Sequence, residues 1–208
     1  MAPQTNESQA DITPEGAKQL LIEGNQRFRE AKRLQRDLLA EVDQTKGGQA
    51  PFAVVLSCID SRVPVELVFD QGIGDIFSAR VAGNCVSDDL LGSLEFATKV
   101  AGSKLVVVLG HSNCGAIKGA CDDVQLGHLS GLLAHIKPAV EAVVDPEDPA
   151  ERTSKNPTFV QAVVEQNVDV AVGDLRRKSE ILRGQEEAGE IAIVGAVYDV
   201  ASGAVEFR

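Results

Sequence analysis

Three short runs of apolar and β-branched residues lie between residues 51 and 111. Their sequences are PFAVVLSC at 51–58, DIFSARVAGN at 75–84 and SKLVVVLGH at 103–111. Apolar runs of this length predict strands that are buried on both faces. Two segments of helical pattern, PVELVFD and SDDLLGSLEFATKVAG, separate them. This alternation predicts an α/β fold with a central, mostly parallel β-sheet flanked by helices.

Helices are also predicted before and after these strands. Thr13 and Pro14 offer an N-cap and a first-turn proline, and apolar residues then recur at helical spacing to roughly Leu34. This helix carries more apolar surface than a solvated arm needs, so we expect it to pack on the core or on a second subunit. Later helical segments are LSGLLAHIKPAVEAVV and TFVQAVVEQNVDVAVGDLRRKSEIL. The last segment, IAIVGAVYDVASGAVEFR, predicts a strand followed by a hairpin.

The length and charge of the chain narrow the possible functions. A chain of 208 residues suits a single domain, which we expect to comprise an N-terminal helical arm at 1–35 and an α/β core at 50–208. The formal net charge of −11 leaves no basic stripe for nucleic acid. The polar N-terminus and the absence of any long apolar run predict a cytoplasmic protein without a membrane partner. We therefore expect a small ligand.

The first candidate motif is SCIDSR, at the end of the first strand. Cys58, Asp60 and Arg62 occupy alternate positions, so on an extended strand end their side chains can point to one side. Taken alone, such a cysteine is more often a core residue, and such an acid and base are more often a structural ion pair. The carboxyl edge of a parallel sheet, however, is where open α/β folds bind ligands.

The second motif, HSNC, follows the third strand and supplies His111 and Cys114. The H-x-x-C spacing converges on one metal ion when the intervening residues form a tight turn into a helix. Since two strand ends deliver Cys58, His111 and Cys114 to one edge, we predict that they bind one zinc ion per subunit. Three protein ligands leave a fourth position for water, as in catalytic sites. Asp60 is a candidate for that position, and Arg62 is a candidate for holding the carboxylate away from it.

The combination of CIDSRVP, DIFSARVAGN and GHSNCGAIKGA resembles the β-class carbonic anhydrases, whose pattern is C-x-D-x-R followed by H-x-x-C. The resemblance covers nearly the whole chain. It implies zinc ligation by Cys58, His111 and Cys114, with Asp60 and Arg62 as the catalytic pair. It further implies reversible hydration of carbon dioxide to bicarbonate and a proton, by attack of a zinc-bound hydroxide. The family forms dimers, often paired into tetramers, so the resemblance implies a homodimer or homotetramer with N-terminal helices extending onto a partner subunit.

The same resemblance implies substrate-binding residues. Gln49 matches a glutamine that hydrogen-bonds the substrate in plant-like members of the family. Phe77 and Phe96 match large side chains that line the pocket, although the plant enzymes have a tyrosine at the position of Phe96, so its hydroxyl is missing here. Gly115 would place its backbone N–H near the pocket.

Three other functions stay open at the level of sequence. The same scaffold and zinc ion can hydrolyse carbonyl sulfide or carbon disulfide, which the motif residues do not distinguish. A non-catalytic zinc-binding interaction protein would have a closed site without exchangeable water. Thiol redox signalling would pair Cys58 with Cys114 as a disulfide. The presence of Asp60 and Arg62 favours a catalytic site over a structural one, and the nearby histidine favours zinc over a disulfide.

Overall fold

A computed structural model describes residues 3–208. The strands are β1 (Ala53–Ser57), β2 (Ile76–Arg80), β3 (Leu105–His111), β4 (Ala192–Tyr198) and β5 (Val205–Phe207). The α-helices are α1 (Asn6–Asp11), α2 (Pro14–Arg29), α3 (Leu38–Thr45), α4 (Val65–Val68), α5 (Asp88–Glu95), α6 (Gly115–Cys121), α7 (Gly127–Ala134), α8 (Lys137–Ala142), α9 (Pro157–Lys178) and α10 (Glu180–Glu187). A π-helical turn (Phe96–Val100) continues α5, and two 3₁₀ turns (Ala82–Asn84 and Pro149–Glu151) lie in loops.

The strands form one sheet in the order β2-β1-β3-β4-β5. The first four are parallel, and β5 pairs antiparallel with β4, which confirms the predicted α/β class and the closing hairpin. Every residue of β1 and β3 is buried, as expected for central strands covered by helices on both faces. Because Ser57 pairs with Leu109, the carboxyl ends of β1 and β3 lie side by side.

Helix α2 begins as predicted but ends earlier. The Thr13 side chain accepts a hydrogen bond from the backbone of Gly16, and Pro14 occupies the first turn. The predicted extension to roughly Leu34 is wrong, because Ala31 adopts a positive φ of 54° that breaks the helix. The backbone N–H of Leu34 instead donates to the carboxylate of Asp70, which anchors the following loop.

The long helix predicted over 158–182 is two helices. Ser179 has an extended backbone (φ −111°, ψ 110°) that separates α9 from α10. Its hydroxyl accepts the backbone N–H of Leu182 as an N-cap and donates to the carboxylate of Glu95 on α5. A serine with two such partners favours a cap over continued helix.

The N-terminal helices pack on their own chain. Ala17 and Leu21 of α2 are completely buried in the core that covers one face of the sheet. The buried side chain of Gln9, on α1, donates to the carbonyls of Pro51 and Ala101. The predicted packing on the core is therefore confirmed, whereas extension onto a partner subunit stays a prediction. None of the helices formed by residues 3–208 has the length and apolar character to cross a membrane.

Candidate metal centre

Three potential metal ligands converge at the adjoining ends of β1 and β3. The ligand atoms of Cys58, His111 and Cys114 all lie within 4.8 Å of one another, and all three residues are buried. The two sulfur atoms are 3.9 Å apart. Two thiols and one imidazole at such distances form the donor set that zinc prefers.

The chain reaches Cys58 by leaving the sheet. Strand β1 ends at Ser57, and a turn closed by the backbone hydrogen bond from Val63 to Asp60 follows. The expectation that alternating side chains of an extended strand end would carry Cys58, Asp60 and Arg62 is therefore wrong in its geometry. The turn, rather than strand alternation, folds the acid and the base back onto each other.

The second half of the cluster has the predicted turn into a helix. His111 is the last residue of β3, Asn113 takes a left-handed conformation (φ 58°), and Cys114 is the N-cap of α6. The imidazole Nδ1 lies 2.9 Å from the carbonyl oxygen of Ser112. Since a carbonyl only accepts, Nδ1 carries the hydrogen, and Nε2 has its lone pair free.

One buried nitrogen of the cluster has no partner among the described residues, and its position suits a cation. His111 is completely buried, and its Nε2 atom has no hydrogen-bond partner among the described residues. The hydrogen bond between the thiols lowers the pKa of Cys58 and raises the pKa of Cys114, and burial raises the latter further. A second thiolate is thus disfavoured until positive charge is present. An imidazole nitrogen without a partner, beside a cysteine whose pKa is lowered so that it ionises readily, fits a bound zinc ion.

Asp60 and Arg62 form a tight pair beside the cluster. Oδ1 of Asp60 accepts hydrogen bonds from the backbone N–H and the Nε of Arg62, both at 2.9 Å, and Oδ2 accepts from Nη2 at 2.7 Å. These hydrogen bonds hold the pKa of the Asp60 carboxyl well below its usual range. Oδ2 also lies 4.0 Å from Nε2 of His111. The ionised carboxylate therefore borders the ligand atoms while Arg62 holds it.

Residues that carry no motif complete the surroundings. Arg80 donates to the carbonyls of Cys58 and Asp60, at 3.0 and 2.7 Å. The backbone N–H of Gly83 points at the Cys58 sulfur, 3.4 Å away, and the buried side chain of Asn167 on α9 holds the Gly83 carbonyl. Nothing in their local sequence marks these roles, because each contact joins residues far apart in the chain.

Of the predicted substrate-binding residues, only Gly115 is adjacent in the chain to a ligand residue of this cluster. Gly115 follows Cys114 as the first residue of α6 and is exposed, whereas Gln49 is exposed in the loop before β1. The rings of Phe77 and Phe96 are 6.3 Å apart in an open cleft of about 690 Å³. Phe77 pairs with Val54 near the start of β1, so at about 3.3 Å per residue it lies roughly 13 Å along the strand from the cysteine.

Comparisons with known proteins agree with this geometry. A family model described as carbonic anhydrase matches residues 53–205. Carbonic anhydrase 2 of Mycobacterium tuberculosis is 37% identical over 203 residues, covering 95% of this chain and 94% of that protein. The carbonic anhydrase of Pseudomonas aeruginosa is 34% identical over 168 residues, covering 76% and 73%. The crystal structure of the β-carbonic anhydrase CafA of Aspergillus fumigatus superposes with a TM-score of 0.72 at 28% identity, covering 82% of this chain and 81% of that one.

The match of the family model spans both strand ends that supply the cluster, and the similarity to the mycobacterial protein extends over nearly the whole chain. Sequence, fold and the convergence of two thiols and an imidazole lead to the same assignment. The chain belongs to the β class of the carbonic anhydrase family.

Proposed function

We propose that this protein catalyses the reversible hydration of carbon dioxide to bicarbonate and a proton, as a zinc enzyme. The observation that carries the proposal is the carboxylate of Asp60 beside three convergent ligand atoms, from Cys58, His111 and Cys114. Within residues 3–208 no fourth cysteine, histidine or carboxylate belongs to this cluster. Structural zinc sites are closed by a fourth protein ligand, whereas catalytic sites leave that position to water.

When bound by these three residues, zinc supplies a water acidic enough to act as a nucleophile near neutral pH. The side chains around the site then have to hold that water and exclude others. Cys58, Cys114 and His111 are buried, so the protein side of the site is shielded from solvent. Low polarity on that side strengthens every electrostatic interaction within the site.

Asp60 is suited to orient the reacting water. Its Oδ2 accepts one hydrogen bond from Arg62 and lies 4.0 Å from Nε2 of His111, so a further acceptor position remains beside the ligand atoms. Arg62 keeps the carboxylate ionised, so Asp60 would accept a hydrogen bond from the reacting water and thereby orient the lone pair of that water toward the carbon of carbon dioxide. In this proposal Arg62 is a positioning residue, because it acts through Asp60.

A second copy of the chain completes the pocket. Within one subunit Phe77 and Phe96 line a cleft beside β2, which is an edge strand of the sheet. The Phe96 side chain is 52% exposed and Val100, one helical turn later, is 71% exposed, which is a large apolar area to leave in water. We propose a homodimer, the smallest assembly in which this cleft is covered. In it, Gln49, Phe77 and Phe96 of one subunit face the metal centre of the other and contact carbon dioxide.

The test is stopped-flow hydration of carbon dioxide, normalised to zinc content, between about pH 6.5 and 9. We expect rapid turnover that rises with pH. Two thiolates donate more charge to the metal than histidines do, so the water that zinc supplies should have a higher pKa and lose its proton only at higher pH. A fully zinc-loaded protein without hydration at any pH would overturn the proposal. Release of hydrogen sulfide from carbonyl sulfide or carbon disulfide by that same preparation would then assign the alternative hydrolase activity.

A further inference from the structure

The orientation of His111 depends on a single backbone carbonyl. Its Nδ1 donates to the carbonyl oxygen of Ser112 at 2.9 Å, and this is the only hydrogen bond of the imidazole among the described residues. The direction of that carbonyl therefore determines where the free Nε2 points. Any group that fixes the Ser112 peptide also fixes the third ligand of the metal centre.

Ser112 is held at three points by the end of β4. Its backbone N–H donates to the carbonyl of Tyr198 at 2.9 Å, which extends the β3–β4 pairing by one residue. Its hydroxyl donates to Oδ1 of Asp199 and accepts the backbone N–H of Val200, both at 3.0 Å. A hydroxyl with one donor and one acceptor partner cannot rotate without losing both hydrogen bonds.

Asp199 is in turn locked by the turn between β4 and β5. Oδ2 accepts the hydroxyl and the backbone N–H of Ser202, at 2.6 and 3.2 Å, and Oδ1 accepts the backbone N–H of Ala201 at 3.1 Å. These donors and the Ser112 hydroxyl lower the pKa of Asp199 to about 2. The carboxylate is therefore ionised and can only accept, which requires Ser112 to be the donor between them.

We propose that Asp199 and Ser112 are positioning residues for the metal centre: the β4–β5 turn, through the Ser112 peptide, aims His111 Nε2 at the position where the two thiols converge. The inference rests on the proposed function for its biological meaning, but its physical content is the orientation of one imidazole. It joins the C-terminal hairpin to a site that the motifs place at the carboxyl ends of β1 and β3.

The test is a double-mutant cycle on zinc affinity, measured by competition with a chelator and independent of turnover. Ser112→Ala and Asp199→Ala are each expected to weaken zinc binding about 10-fold, the lower end of the effect of removing an outer-shell partner. Because the two residues share the hydrogen bond between them, Ser112→Ala is expected to cost less affinity in the Asp199→Ala background than in the wild type, where it also removes that shared bond. Ser112→Thr keeps the hydroxyl, and the side chain borders a surface cavity of about 360 Å³ that admits a methyl group, so it should bind zinc as the wild type does.

A matched control separates positioning from the stability of the turn. Ser202→Ala removes one hydrogen bond to Asp199 but leaves Ser112 untouched, so its zinc affinity should equal that of the wild type. A second readout uses zinc-free protein: the chain has three histidines, and the other two are exposed. Nitrogen-15 spectra should show His111 as the Nδ1–H tautomer in the wild type and as a mixture in Ser112→Ala.

Equal loss of affinity from Ser112→Ala in both backgrounds, or an unchanged His111 tautomer, would overturn the positioning role. So would a Ser202→Ala variant as weak as Ser112→Ala, since the effect would then be one of turn stability. None of these three results bears on hydration by the wild-type enzyme. A wild type that binds zinc but does not hydrate carbon dioxide would instead defeat the proposed function and leave the positioning role standing.

Discussion

The guanidinium of Arg62 donates to both carboxylate oxygens of Asp60 and also reaches the carbonyl of Asn113, 3.3 Å away. One side chain thus connects the loop after β1 with the loop after β3. Because the fork of arginine matches the two carboxylate oxygens and a lysine ammonium does not, this contact has a direct test.

Replacing Arg62 by lysine should keep the charge but release Asp60 from its fixed orientation. A hydrogen bond to a charged group contributes about 1.5–3 kcal/mol, so we expect kcat/KM for hydration to fall about 10- to 100-fold. Zinc content should not change, because Arg62 is not among the ligand residues. Full activity in Arg62→Lys would show that activity does not require the paired hydrogen bonds from Nε and Nη2 of Arg62 to the Asp60 carboxylate.

The same pair should appear in the acid stability of the fold. Arg62 lowers the pKa of Asp60 in the folded protein, so the pair stabilises the fold at pH values above the ordinary carboxyl pKa of about 4. That contribution is lost as the pH falls below this value toward the lowered folded pKa. Urea midpoints of zinc-free, reduced wild type and Arg62→Ala should therefore differ at neutral pH and converge in acid. A difference that grows on acidification would contradict the assignment.

Cys58→Ser should lose most bound zinc and with it the hydration activity, because an alcohol is a far weaker zinc ligand than a thiolate. Cys121 provides the matched control: it is a free cysteine at the end of α6 and lies outside the cluster. Cys121→Ser should retain one zinc per chain and its activity. Metal analysis of both purified variants decides the point, and equal zinc content would remove Cys58 from the ligand set.

Position 83 requires glycine for two reasons, its backbone conformation and the space around it. Its φ is +70°, and an added Cβ would lie 2.6 Å from Cδ1 of Ile136. We expect Gly83→Ala to reduce the free energy of unfolding by about 1–3 kcal/mol. Gly173→Ala is the control, since its Cβ would meet nothing within 4 Å inside α9, and it should stabilise by about 0.5–1 kcal/mol. Urea unfolding measures both, and a neutral Gly83→Ala would refute the packing argument.

Phe96→Asp should disrupt the proposed dimer, because it replaces an exposed aromatic ring with a charge in the cleft that a second copy is expected to cover. We expect a lower molar mass in light scattering and a loss of hydration activity, without loss of zinc. Leu39 on α3 is 82% exposed and outside that cleft, so Leu39→Asp serves as a surface control. An unchanged mass in Phe96→Asp would place any subunit contact elsewhere.

The sequence was most informative where chemistry follows an apolar run. The strands ending near Cys58 and His111 are continuous apolar segments, so their type and shared edge followed from pattern alone, and the H-x-x-C spacing predicted the turn into α6. The apolar periodicity predicted helices that continue past Ala31 and Ser179, but both helices end near these residues. Ala31 adopts a left-handed backbone, and Ser179 forms a hydrogen bond with a distant glutamate. Neither a left-handed backbone nor a tertiary partner changes the spacing of apolar residues in the sequence.

The residues that support the metal ligands could not be predicted from the sequence, for a related reason. Arg80, Asn167 and Asp199 act on the ligand residues through backbone carbonyls or a hydroxyl, across long sequence separations. No motif specifies a contact that depends on where a later helix or hairpin docks. The same limit applies to Phe77, whose strand register, not its spacing, separates it from the metal ligands of its own subunit.

The placement of the ligands on two parallel strands also has a consequence for biogenesis. Cys58 and Cys114 are 56 positions apart in the chain, and parallel strands cannot be joined by a short hairpin, so their pairing waits for a long crossover to close. Until that crossover closes, the chain offers Cys58 on one side and the H-x-x-C pair on the other as separate groups, each with too few donors for tight capture. Metal acquisition becomes a late step in maturation, and a chain that has gained its ion has already completed the centre of its sheet.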